Sequence, residues 1–160
     1  MANRNLKHLA HPFLGLAYRA YAWWVKLKGQ PLHGAAVAIW HDGKLLVVRH
    51  SYHRGYALPG GLLRKGEDPR LAACREVREE VGLAIEPHDL VLITNERAGR
   101  YEDQIYEYRP TARPQIEIDH WEIAEARFID PNDLGDEDTL VRSYLRAAAA
   151  QTRSPEATEA

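Results

Sequence analysis

The chain has 160 residues, with 21 Lys and Arg against 23 Asp and Glu for a formal net charge of −2, and a single cysteine. That length suits one hydrophobic core with an appendage, and the charge balance gives no long-range pull on nucleic acid. No transmembrane-length apolar run, internal repeat or zinc-type pairing of Cys with His is present, so spanning, solenoid and zinc-finger classes fall away. The lone Cys74 cannot form an internal disulfide, which suits a reducing cytoplasm and an inert thiol.

Residues 1–30 read as a helical extension in which Tyr18, Tyr21, Trp23 and Trp24 are interleaved with Arg19, Lys26 and Lys28. Three readings stand. A secretory signal fits poorly, because Arg19 interrupts the apolar region and no small-residue cleavage site follows. A helix lying on a membrane surface is the second. The leading reading is a helix packed on the domain or on a second subunit, which makes a homodimer through this segment an expectation and membrane association not one. Pro31 opens the domain proper, expected over 31–150.

Gly34 to Trp40 and Lys44 to His50 are β-rich runs joined by Asp42-Gly43, a pair that tolerates the positive φ of a type I′ hairpin turn. Their near-continuous apolar character implies burial on both faces, as in a sheet with helices on either side. Arg49, His50, His53 and Arg54 then precede the turn Leu58-Pro59-Gly60-Gly61. These cations would lie near a bound phosphate if that turn forms a site, and otherwise line a solvated loop.

From Pro69 to Val81 the chain lacks Gly and Pro, is rich in Ala, Leu, Arg and Glu, and stops at Gly82, which predicts a helix with a glycine C-cap. At 100° per residue Glu76, Glu79 and Glu80 share one face, with Leu71, Cys74, Val77 and Val81 opposite. The expected arrangement docks the apolar side and turns the acidic side outward, with Ala72 and Ala73 leaving room there for a bulky anion. Like charges one turn apart repel by a few tenths of a kcal/mol per pair, roughly, and a hard divalent cation such as Mg²⁺ relieves that conflict.

The stretch resembles the signature of the Nudix hydrolases: G, five residues, E, seven residues, then R-E-U-x-E-E-x-G-U with U aliphatic. Gly61, Glu67, Arg75, Glu76, Val77, Glu79, Glu80, Gly82 and Leu83 fill it without a departure. Nine such matches arise by chance in about one in 10⁷ chains of this length. The resemblance implies an α+β fold, a mixed β-sheet sandwiched between helices. It also implies Mg²⁺, with Mn²⁺ able to substitute, held by Glu79, Glu80 and Glu76 with the Gly60 carbonyl. Glu76 is then either ligand or general base. Arg75 would hold the carboxylates in place, and Glu67 would pair with it or approach a metal. The implied reaction is hydrolysis of a nucleoside diphosphate linked to a further group X.

After the box, Leu90 to Ala98 and Gln104 to Arg109 alternate as a second hairpin with AGRYED across its turn, and Ala124 to Ile129 reads as a further strand. A helical region is expected from Pro131 through Ala150, and the last ten residues are expected to be disordered. Glu122 and Glu125 lie where a loop base or ligand would come from. Arg49, Arg54, Tyr56 and Arg97, with Tyr52, Tyr101, Tyr106 and Trp121, are candidates to contact substrate. The absence of a basic aromatic stripe outside the N-terminal segment favours small nucleotides over RNA, with no stable nucleic-acid binding. A nucleotide-binding sensor or interaction module is the alternative, and the intact set of box carboxylates disfavours it.

Overall fold

A computed structural model describes residues 31–52, 55–118, 120–135 and 139–152. The readings made for residues 1–30, for His53 and Arg54, and for residues 153–160 lie outside these. The described chain forms β1 (Leu32–His41), β2 (Lys44–His50), β3 (Gly60–Leu62), helix α1 (Pro69–Val81), β4 (Val91–Ala98), β5 (Tyr101–Tyr108), β6 (Ile123–Ile129) and helix α2 (Thr139–Thr152).

The strands make one mixed sheet in the order β4-β5-β1-β2-β6, and β3 adds to β1. β1 and β2 are antiparallel across Asp42 and Gly43, whose φ values of +49° and +73° are those a type I′ turn requires. β1 and β5 run parallel from Leu32 opposite Tyr101 to Ile39 opposite Tyr108, with α1 inside the long connection that a parallel pair needs. Along one edge β1 therefore serves two partners. Gly34 to Ala36 pair with β3, and Trp40 and His41 pair with β2. A cavity opens between them.

Because side chains alternate along a strand, the sheet splits its apolar residues between two cores. Val37 and Ile39 of β1 with Leu46 and Val48 of β2 pack on Ala73, Val77 and Val81 of α1. Ala38, Leu45, Val47 and Ile105 face the other way, toward Val141 and Tyr144 of α2. The expected helix-sheet-helix layering follows from this division. Tyr144 is fully buried, yet its hydroxyl accepts from Trp40 Nε1 at 2.5 Å and donates to Glu107 Oε2 at 2.5 Å, so the phenol is satisfied on both sides.

Three boundaries differ from expectation. The β4–β5 turn is only Gly99 and Arg100, with Gly99 at φ +64°, and Tyr101 to Asp103 belong to β5. Their polar character suggested a loop, but Glu102 pairs with Arg97 across the hairpin and with His33 on β1, which accounts for charge on a strand. The region after Pro131 is a single 3₁₀ turn, Pro131–Asp133, capped by Asp130, and α2 starts separately at Thr139. α2 also runs to Thr152, two residues into the stretch expected to lack structure.

Candidate active site

Helix α1 is fixed at both ends by its sequence. Asp68 Oδ1 accepts from the amides of Arg70 (2.9 Å) and Leu71 (3.2 Å), Pro69 fits the first turn, and Gly82 at φ +70° closes the helix with its amide on the Arg78 carbonyl. The buried face is rotated from the expected one: Val77 and Val81 are buried and Cys74 is packed as expected, but Leu71 and Glu80 have changed places. Leu71 is 53% exposed, whereas Ala72, Ala73, Val77 and Val81 are buried and Glu80, at 3%, sits among them. The two alanines do not make room for an anion. They let the helix pack closely on β1 and β3, and that carries Glu80 into the interior.

Glu80 is nevertheless paired. Its Oε2 accepts from the Gly60 amide at 3.0 Å, and its Oε1 lies 3.1 Å from His50 Nε2. Burial pushes the Glu80 carboxyl above its ordinary value despite these two partners. Burial pulls His50 down, but the Glu80 carboxylate outweighs it and leaves the imidazole above its usual value. Gly60 was expected to offer its carbonyl to a metal; its amide is the group seen at work, on Glu80. A Cβ at Gly60 (φ +156°) would collide with the Ala35 carbonyl. One at Gly61 would sit 2.7 Å from the Glu76 carboxyl carbon, so Gly61 is the space that Glu76 fills.

Arg75 organises the outer half of the site. Its guanidinium is 12% exposed and takes Glu67 bidentately (2.8 and 2.8 Å), Glu76 at 2.6 Å, Glu79 at 3.3 Å and the Leu62 carbonyl at 3.3 Å. Arg75 holds the Glu67 carboxyl down at about 2, helped by the Arg64 amide, while the carboxylates raise the Arg75 guanidinium. Burial raises Glu76; Arg75 opposes the shift, and the charges of Glu79 and Glu122 add to it. Glu79 is half exposed and also meets Arg64 at 3.3 Å.

Glu76, Glu79, Glu80 and Glu122 all line one cavity of about 510 Å³, together with His50 and Asp103. Glu122 reaches it from the turn before β6, where its carbonyl accepts from the Ser51 amide and Tyr52 donates to its side chain at 3.5 Å. Glu125 lies instead within β6, held by Arg49 at 3.0 Å and Tyr56 at 3.2 Å, with Arg127 at 3.6 Å, off the cavity wall. Arg49 and Tyr56 belong to that cluster, and Arg97 pairs with Glu102 over a separate hollow. Tyr52 does line the cavity, whereas Tyr106 is a core residue.

Arg64 and Asp103 had no counterpart in the sequence reading. Arg64 follows the glycine turn closely enough to be suspected. Asp103 is brought in by the β1–β5 pairing, which no local signal announces.

The donor set suits a hard cation. Four glutamates and Asp103 face one cavity, Glu76 and Glu80 among them are raised by burial and by neighbouring carboxylates, and oxygen ligands are what Mg²⁺ prefers. Among the described residues no three acidic, His or Cys side chains converge into a ready-made cage. Mg²⁺ is ordinarily held by one or two carboxylates plus substrate phosphates and water, so an open wall of acids is compatible with it. No described helix is long and apolar enough to cross a membrane.

Comparison with known proteins agrees with this geometry. Over 63 residues the chain is 40% identical to a "MutT-like protein" of Streptomyces ambofaciens, covering 38% of this chain and 41% of that protein. Over 87 residues it is 30% identical to "Putative ADP-ribose pyrophosphatase YjhB" of Bacillus subtilis (strain 168), covering 53% of this chain and 42% of that one. The chain thus spans about two fifths of the length of these curated relatives. The crystal structure of a MutT NUDIX hydrolase from Burkholderia pseudomallei superposes with a TM-score of 0.64 at 23% identity, over 74% of this chain and 98% of that one, which shows the fold. The NUDIX domain model matches residues 31–150, and with the complete box running from β3 through α1 the chain belongs to the Nudix family.

Proposed function

We propose that this protein is a divalent-cation-dependent pyrophosphohydrolase that cleaves a nucleoside diphosphate linked to a further group X into a nucleoside monophosphate and phospho-X. The observation that carries the reading is the wall of Glu76, Glu79, Glu80 and Glu122 on one cavity, with Arg75 offsetting only part of its charge. Glu79 and Glu80 would hold Mg²⁺ or Mn²⁺, with Glu76 and the Gly60 carbonyl completing the protein's share. When bound, the cation neutralises charge on the diphosphate and acidifies a coordinated water.

The chain's own residues supply positioning and proton transfer. His50 and the Gly60 amide fix the orientation of Glu80, and Arg75 fixes Glu76 against Gly61 while Glu67 braces Arg75 from behind. In the hydrolysis, water oxygen bonds to one phosphorus, the bridging P–O bond breaks, and a carboxylate takes the water's proton. Glu76 and Glu122 are the candidates for that base, because both face the cavity and burial raises the Glu76 carboxyl above its ordinary value. Glu125 is set aside for this role by its three partners.

The name of one curated relative, a putative ADP-ribose pyrophosphatase, supports a small nucleotide as the substrate. The test is a screen of purified protein against nucleoside triphosphates, nucleotide sugars including ADP-ribose, dinucleoside polyphosphates and 5′-triphosphate RNA, with Mg²⁺ and with chelator. Metal-dependent release of a nucleoside monophosphate is expected. Tight nucleotide binding without turnover on any substrate would replace the hydrolase with a sensor.

A further inference from the structure

The cavity has a second acidic feature that the box does not use. Asp103 lies on β5 two residues before Ile105, so it projects to the α2 side of the sheet, away from α1. Its register partner on β1 is Gly34, and a Cβ there would overlap the Asp103 carboxylate. The strand is thus bare where the acid lies across it. Asp103 is partly buried and lines the same cavity as Glu76 and Glu80, yet no hydrogen bond reaches it from any described residue. Burial raises its carboxyl, and the charge of His33, itself half exposed, pulls the other way.

No protein group holds the Asp103 oxygens and they face the cavity, so a ligand entering it can supply donors in place of water. A phosphate is a poor ligand for Asp103 itself, because like charges would face each other. The diphosphate belongs with the box carboxylates and Arg75, and the uncharged remainder of the nucleotide falls to Asp103. With two oxygens, a carboxylate best accepts from two adjacent donors. A nucleotide offers such a pair in two places, the N1–H and N2–H₂ edge of guanine and the 2′,3′-diol of ribose; adenine, cytosine and uracil each set an acceptor beside their donor.

Building on the proposed function, we infer that Asp103 is a specificity-determining acceptor that selects nucleotides presenting a pair of adjacent N–H or O–H donors. Gly34 keeps the space it needs.

The test separates this inference from the hydrolase reading by measuring binding without turnover. Wild type, Asp103→Asn and Asp103→Ala are titrated calorimetrically with GMP, IMP, 2′-deoxy-GMP and AMP in the presence of Mg²⁺, because these monophosphates have no anhydride bond to cleave. Wild type should prefer GMP over IMP if guanine is read, or GMP over 2′-deoxy-GMP if the diol is read. Both variants should bind GMP about 10-fold or more weakly and lose that preference, since a site left with an unmatched partner discriminates strongly. Asp103→Asn should melt no lower than wild type, which a purely structural acid would not allow. Equal binding by all three proteins, a loss shared by every nucleotide, or no nucleotide binding by wild type would overturn the inference. Asp103-dependent selectivity without hydrolysis would instead leave it standing while the hydrolase reading fails.

Discussion

Two clusters of arginine and glutamate, one on helix α1 and the loop before it and one across β2 and β6, differ in which charge is in surplus. Around Arg75, the carboxylates of Glu67, Glu76 and Glu79 converge on one guanidinium beside the buried Glu80. Around Glu125, a single carboxylate is shared by Arg49, Arg127 and the Tyr56 hydroxyl, with Arg127 also lying 4.6 Å over the Tyr56 ring. The electrostatic outcome is opposite. Burial raises Glu76 against Arg75's pull, whereas Arg49 leads the partners that lower Glu125. The second cluster is complete as it stands, and the first lacks positive charge. Ion pairs alone do not mark a functional site; the sign of the imbalance does.

Arg75→Ala should separate the clusters most sharply. It strands Glu67 and Glu76, both largely buried, and breaking such a network costs about 3 kcal/mol, seen as a lowered Tm in calorimetry. Arg49→Ala should shift Tm far less, because its pair is more exposed and screened by solvent.

Next in size, Glu79→Gln or Glu80→Gln should cut kcat/KM at least about 100-fold with Mg²⁺, the order expected when a metal site is disrupted. Glu125→Gln should stay within a few-fold, and near wild-type turnover by both box variants would contradict the proposed metal site. Without metal, Glu80→Gln should melt no lower than wild type, because burial already disfavours the charged form.

A pH titration of stability sharpens the comparison further. The Glu67 carboxyl is held at about 2 against an ordinary 4.5, so its contribution is fully present above 4.5 and is lost as pH falls toward 2. Chemical denaturation across that range should show a slope that Glu67→Gln flattens.

The smallest effect belongs to Cys74, which is only partly buried and whose thiol burial pushes up. Cys74→Ala should cost roughly 1 kcal/mol and leave catalysis unchanged. Loss of turnover on thiol blocking, with the fold intact, would count against this.

The ends of α1 were legible because Asp68, Pro69 and Gly82 are local signals read one residue at a time. Its orientation was not. A helical wheel sorts residues by polarity, and here Glu80 is interior while Leu71 faces out, because the sheet offers Glu80 the Gly60 amide and His50. The box residues could be found from spacing, since they are close in sequence. Asp103 could not, for its place depends on a parallel pairing between strands some seventy residues apart. The charged residues Glu102 and Asp103 likewise disguised the start of β5, where cross-strand partners for Glu102 outweighed weak local preference.

The hydroxyl of Tyr144 has a consequence for how the molecule comes apart. It sits between Trp40 on β1 and Glu107 on β5, so one atom of α2 bridges two neighbouring strands. A one-turn slide of the helix would leave Glu107 without this donor and Trp40 without this acceptor, which makes intermediate dockings costly. α2 therefore behaves as a latch with a single seat. Its amides should exchange with deuterium in one cooperative step together with those of β1 and β5.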